Sequence, residues 1–165
     1  MALTIIEDTR QQAGKHEAKR EWWEREGVAV VRSKLAFGDY ALPPAASVDT
    51  KMSIAELAMD IDQQHERFRA ECAGARDAGC RLVILVENDD GVRDLAGLAA
   101  WRESDGQFAA RKRAVRRLDG SRLAKACMTM QRRYGVRFEF CAPGEAARRV
   151  VEILTEEGRH GRIDA

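Results

Sequence analysis

Between Gly38 and Lys51 the sequence reads GDYALPPAASVDTK. This places one Asp on a short strand, a Pro-containing turn after it, and Asp-x-Lys on the returning strand. Side chains two apart on a strand share a face, so Asp49 and Lys51 project together. The hairpin then brings Asp39 alongside them. Two carboxylates and an ammonium at a sheet edge can hold a divalent cation and stabilise charge developing on a phosphate. Phosphodiester hydrolysis at neutral pH needs an activated water and neutralised phosphate charge, and carboxylate-bound Mg²⁺ or Mn²⁺ supplies both. A Lys beside the metal can orient the water or stabilise the transition state. Oxygen donors suit such a hard cation. In a chain that is 33% charged, Asp-x-Lys taken alone reads as a solvent-facing pair on an edge strand, and Asp39 as a turn residue. The order of the surrounding motifs decides between the two readings.

The elements that must position these residues are legible in outline. Leu3–Glu7 is a nearly continuous apolar run suited to a buried strand, followed by Asp8-Thr9-Arg10. Lys15–Glu26 has helical composition and Gly27 as its stop. Its adjacent Trp22 and Trp23 cannot share one stripe, so one is expected in the core and the other as a lid or partner contact. Val28–Leu35 is predicted as the second strand, Gly38–Tyr40 opens the third, and Ser47–Met52 is the fourth. Ser53-x-x-Glu56 has capping-box spacing. It opens one long helix to Gly79, with Ile54, Leu57, Ala58, Ile61, His65, Phe68 and Cys72 along its stripe. RLVILV at 81–86 is a buried strand ending in Glu87. A short helix over 94–101, a helix over 120–134, a strand over 136–141 and an amphipathic helix over 143–157 complete the chain. Residues 102–117 show no clear period. The order βαβββαβααβα predicts an α/β fold with a mixed central β-sheet flanked by helices. A single domain over residues 1–165 is expected, its motif core at about 3–90 and an extension at about 91–160.

Composition narrows the function class without choosing one. Lys and Arg total 28 against 27 Asp and Glu, so any nucleic-acid contact must come from local clustering. No apolar run reaches the roughly 18 residues of a membrane span, and the N-terminus lacks the features of a secretion signal. A cytoplasmic protein with no membrane partner is expected. Cys72, Cys80, Cys127 and Cys141 lack metal-motif spacing and read as reduced, buried thiols rather than a zinc site.

The ordered set resembles the nuclease domain of XPF-type structure-specific endonucleases, within the PD-(D/E)xK restriction-endonuclease-like superfamily. The family's Val-Asp-x-Arg-Glu stands here as Glu7-Asp8-Thr9-Arg10-Gln11, its Gly-Asp-Tyr as Gly38-Asp39-Tyr40, and its Glu-Arg-Lys as Asp49-Thr50-Lys51. A following helix Arg is matched by Arg67, and the acidic end of the next strand by Glu87. The likeness covers roughly residues 3–90, and the remainder is similar to small stand-alone members from phages and bacteria. It implies a restriction-endonuclease-like fold with Asp39 and Asp49 on Mg²⁺ or Mn²⁺, Asp8 close by, and Lys51 as the catalytic cation. Arg10, His65, Arg67 and Glu87 would support the site. DNA, branched or flap-like, is the implied substrate, and a homodimer the implied oligomer. Gln11 departs from the family's Glu and removes one carboxylate. The tandem DNA-binding helical module that follows the nuclease domain in longer members is absent from this sequence. Family relatives include inactive subunits, so a nuclease-fold module that binds DNA or a protein without cutting is the alternative.

Four further features keep two readings each. His65, on an inward stripe, is either a satisfied core histidine or a neighbour, with Arg67, of the scissile phosphate. Glu87 is either a metal-site carboxylate or a strand-end cap. From Arg102 to Arg117 six basic residues face two acidic ones. The dense part, Arg111, Lys112, Arg113, Arg116 and Arg117, is either a solvated face or a phosphate-gripping strip. Phe108 beside it would either pack or stack on a base.

Overall fold

The computed structural model describes residues 3–12, 14–43 and 46–160. Its strands are β1 (Thr4–Asp8), β2 (Ala29–Ser33), β3 (Tyr40–Leu42), β4 (Ala46–Lys51), β5 (Arg81–Glu87) and β6 (Arg137–Cys141). They form one mixed sheet in the order β2-β1-β3-β4-β5-β6. The pairs β1–β2, β4–β5 and β5–β6 are parallel, each joined by helical crossovers, and β3 runs antiparallel to both its neighbours. The helices are α1 (Glu17–Arg25), α2 (Ile54–Asp62), α3 (His65–Asp77), α4 (Leu95–Ala100), α5 (Asp105–Ala110), α6 (Gly120–Tyr134) and α7 (Ala146–His160). Pro44 and Ala45 of the expected turn lie outside the described residues.

Strand parity divides the core into two layers. Leu82, Ile84 and Val86 of β5 face a layer built with α2, α3, α4 and α6, including Leu57, Phe68, Leu98, Leu123 and Cys127. Val83 and Leu85 face Trp23 of α1 and Val150, Ile153 and Leu154 of α7, with Ile5, Tyr40 and Val48 from the other strands. A strand covered on both faces needs apolar residues at every position, which is why RLVILV carries no alternation. Trp23 is the core tryptophan: it is fully buried, donates from Nε1 to Ala147 O (2.9 Å) and meets Tyr40 edge-on at 5.1 Å. Trp22 is half-buried at the margin of the same layer.

Two expectations need correction. The long helix over 53–79 is two helices, with the break at Gln63-Gln64, where Gln63 N and Gln64 N both donate to Met59 O. His65, the first residue of α3 after the break, is exposed rather than inward, while Phe68 and Cys72 of the same stripe stay in the core. The aperiodic segment after Arg102 contains the short α5, opened by a capping box between Ser104 and Gln107. Six residues are too few for an amphipathic period to register. Among the described residues no helix is long and apolar enough to cross a membrane.

Candidate active site

Asp8, Asp39 and Asp49 form a row, and sheet register explains it. Glu7 pairs with Tyr40 and Tyr40 with Val48. One further step past these pairs brings Asp8 beside Asp39 and Asp39 against the Val48–Asp49 part of β4, and all three Asp side chains line one cleft. Backbone bonds carry that step: Asp8 N donates to Asp39 O and Asp39 N to Val48 O, both 2.8 Å. The row lies on the α2–α3 face of the sheet. Gly38 makes it attainable. Its φ is 70°, and a Cβ there would lie 2.5 Å from Ser47 Oγ and 2.8 Å from Val48 O. Only glycine lets this backbone cross so close to β4.

The cleft above the row has a volume of about 400 Å³ and is lined by Asp8, Arg10, Gln11, Gly38, Asp39, Asp49, Lys51, Arg67 and Glu71. Lys51 and Asp49 are both buried; Lys51 Nζ lies 2.7 Å from Asp49 Oδ2 and 2.5 Å from Asp60 Oδ2. The Lys51 ammonium thus bridges the two carboxylates, taking Asp49 Oδ2 on one side and Asp60 Oδ2 on the other. Burial pushes the Asp49 carboxyl up to about 8; Lys51 pulls it down, while the neighbouring Asp39 and Glu71 push it up. Burial alone would lower the Lys51 ammonium, but Asp49 and Asp60 hold it above its ordinary value. The ring of Phe68 lies 5.3 Å from Nζ and closes the apolar side of this pair.

Asp39 is half-buried, and its Oδ2 accepts from Thr50 N (2.8 Å) and Thr50 Oγ1 (2.6 Å). Thr50, where the resembling motif has Arg, therefore orients the neighbouring carboxylate. Asp8 is engaged differently. Its carboxylate accepts from Arg10 Nε and Nη2, from Arg10 N (2.8 Å) and more distantly from Leu35 N (3.4 Å). Burial raises its pKa, and the Arg10 bonds more than offset this and hold it below the usual carboxylate range. Among the described residues no three Asp, Glu, His or Cys side chains group closely enough to enclose a metal ion. Mg²⁺ needs no such cage, since it keeps several waters and takes one or two carboxylates plus substrate phosphate. Asp39 and Asp49, whose carboxylates line one polar cleft, fit that mode.

The remaining expected residues separate. Arg67 lines the cleft, but His65 lies in a different groove with Phe68, Arg122 and Met130. Glu87 has the opposite parity to Ile84 and Val86, so it faces the α1–α7 layer, where the buried Lys19 pairs with it. The metal-site reading of Glu87 fails on that geometry. Arg111 binds the buried Glu103 through Nε (2.5 Å) and Nη2 (2.9 Å), and Arg117 pairs with Asp105. Both arginines also lie over the ring of Phe108, at 5.7 and 5.0 Å. Phe108 is thus capped by cations rather than open to a base. Lys112, Arg113 and Arg116 are exposed, without ion-pair partners among the described residues. Sequence reading missed Asp60 and Glu71. Asp60 falls three residues after the inward Leu57, and Glu71 falls four after Arg67 and accepts from Gly38 N (2.8 Å). Helical spacing from those neighbours was the available signal.

No family model matches the chain, and no curated protein does. The solved structures similar to it include two of one protein. XPF from Aeropyrum pernix has a TM-score of 0.63 at 19% identity, covering 92% of this chain and 60% of that one. XPF from Aeropyrum pernix in complex with DNA has a TM-score of 0.63 at 18% identity, covering 95% and 66%. The chain thus spans less than two thirds of either. At that identity the likeness establishes the architecture alone: this α/β chain, a mixed sheet flanked by helices, has the restriction-endonuclease-like fold of these XPF structures.

Proposed function

We propose that the protein is a divalent-metal-dependent DNA endonuclease acting on branched, flap or fork structures. The observation that carries this reading is the row Asp8–Asp39–Asp49, with Lys51 buried at its end in an open polar cleft. Asp39 and Asp49 would hold Mg²⁺ or Mn²⁺, which lowers the pKa of bound water and neutralises phosphoryl charge. Lys51, fixed by Asp49 and Asp60, is positioned to orient the attacking water and to donate to the phosphate oxygen that gains charge. Arg67, exposed on the cleft wall, supplies a contact to the adjacent phosphate. Gly38 and Thr50 set the position of Asp39. The likeness to an XPF structure in complex with DNA supports the substrate class.

A second reading has its own observation. Asp8 is held by Arg10 and Gln11 stands where a carboxylate is expected, leaving two carboxylates for a metal. A DNA-binding module without cleavage would present such a site. Labelled fork, flap and duplex DNA incubated with Mg²⁺ or Mn²⁺ separates the two. Cleavage that disappears in Asp49→Ala and Lys51→Ala supports the nuclease. Binding without cleavage under every metal condition supports the module, and metal-independent cutting refutes the proposed chemistry.

A further inference from the structure

The loop joining α5 to α6 is built as a clamped projection. Glu103, buried on one side of it, receives Arg111 Nε and Nη2 at one end and Leu118 N (2.8 Å) at the other. Its backbone oxygen accepts from Arg117 Nη1 (3.0 Å), and Arg111 Nη2 also reaches Arg116 O (2.7 Å). A buried carboxylate needs compensation, and here it is compensated by both ends of the loop at once. The five residues between, 112–116, are left to project. Arg113 turns the chain with φ 72°, a left-handed conformation uncommon for arginine. At the tip Val115 is 90% exposed, against 52% or less for the other exposed large apolar residues. Lys112, Arg113 and Arg116 flank it in the chain, exposed and without ion-pair partners among the described residues. The loop borders a groove along α2, with Glu56, Met59 and Asp62 on the facing wall. That helix also carries Asp60, the partner of Lys51.

A single exposed apolar residue is ordinary on a protein surface. An exposed apolar residue in a loop held at both ends, with three free cations beside it in the chain, has a more particular use. Resting on the nuclease reading above, we propose that Val115 is a wedge that enters between two bases of the bound DNA while Lys112, Arg113 and Arg116 grip the flanking phosphates. Apolar side chains so inserted partly unstack a base step and kink the duplex. Pyrimidine–purine steps open most easily, so the wedge favours TA or CA/TG at its point of entry. Arg111 and Arg117, spent on Glu103 and Asp105, shape the loop and do not touch DNA.

The test uses the full chain in EDTA, which permits binding without cleavage, and fork and flap DNA carrying 2-aminopurine at successive positions beside the junction. The expected result is increased fluorescence at one or two adjacent positions. It should disappear in Val115→Ser, persist in Val115→Leu, and leave the salt dependence of binding unchanged in both. Substituting Lys112, Arg113 and Arg116 together by Ala should lower the log–log salt slope by about 2–3, from about 0.7–0.9 per phosphate contact. Thermal unfolding of Val115→Ser should match wild type, since that side chain packs against little. DNA binding with no responsive position, or a response unchanged in Val115→Ser, overturns the wedge and leaves the nuclease reading standing. Failure of the wild type to bind any of these DNAs overturns both.

Discussion

Substituting Lys51 by Met removes the ammonium lying 2.7 Å from Asp49 Oδ2 and 2.5 Å from Asp60 Oδ2, while keeping most of the side-chain volume. Both carboxylates are buried. Leaving the buried Asp60 carboxylate without its cation costs about 3–5 kcal/mol. At about 2–4 °C per kcal/mol for a chain of this size, the midpoint falls by roughly 6–20 °C. Asp49→Asn acts with the opposite sign. Burial pushes the Asp49 carboxyl up to about 8, so its ionised form is disfavoured in the fold relative to the unfolded chain. The wild type therefore loses stability as pH rises from about 4, where an unfolded Asp ionises, towards 8. An asparagine escapes that loss, and Lys51 keeps Asp60 as a partner. Asp49→Asn should equal wild type near pH 4 and exceed it by on the order of 5 kcal/mol at pH 8, the rise from about 4 to about 8 being worth about 1.4 kcal/mol per unit. The same variant should lose cleavage, as expected where a strained site trades stability for activity. Urea unfolding followed by circular dichroism at pH 4, 6 and 8, in EDTA and at constant ionic strength, measures both. A Lys51→Met loss under about 1 kcal/mol, the range of an exposed pair, would refute the reasoning. So would an Asp49→Asn variant that is less stable than wild type at pH 8, or a difference independent of pH.

Three other outcomes follow from local geometry. Glu103→Gln should cost about 1–3 kcal/mol at pH 7 by unpairing the loop clamp. Because Arg111, and then Leu118 N, hold the Glu103 carboxyl low against its burial, that contribution is present above about pH 4.3 and should vanish as pH falls below the folded value; chemical denaturation at pH 3 and 7 shows it. Gly120→Ala would set a Cβ 2.2 Å from Leu98 O and 2.6 Å from Trp101 O. Backbone cannot yield as a side chain can, so unfolding measurements should find a loss at the upper end of about 1–3 kcal/mol. Gly38→Ala must shift the chain carrying Asp39, and kinetic assays should find cleavage reduced by a larger factor than DNA affinity.

Local pattern determined much of this protein. The apolar run before Glu87, the N-cap at Ser53, the helix over 120–134 and the alternating strand before Cys141 were each legible because their period lies within a few residues. Asp39, Asp49 and Lys51 were legible as a group for the same reason: a hairpin is local, and its register follows from its own residues. The tertiary structure alone decided the rest. Asp8 joins the row only because β3 inserts antiparallel between β1 and β4, a pairing no local period encodes. Strand parity turned Glu87 to the opposite layer, although it ends the strand next to Lys51. His65 opens α3 after the break at Gln63-Gln64 and is exposed. Five clustered basic residues looked equivalent in sequence, and buried Glu103 divided them, drawing Arg111 inward and leaving Lys112, Arg113 and Arg116 free. Each of these outcomes depends on which charged groups the fold buries together. The energy of burying a charge is settled by partners distant in sequence, so composition and spacing could name the candidates and only the packed structure could sort them.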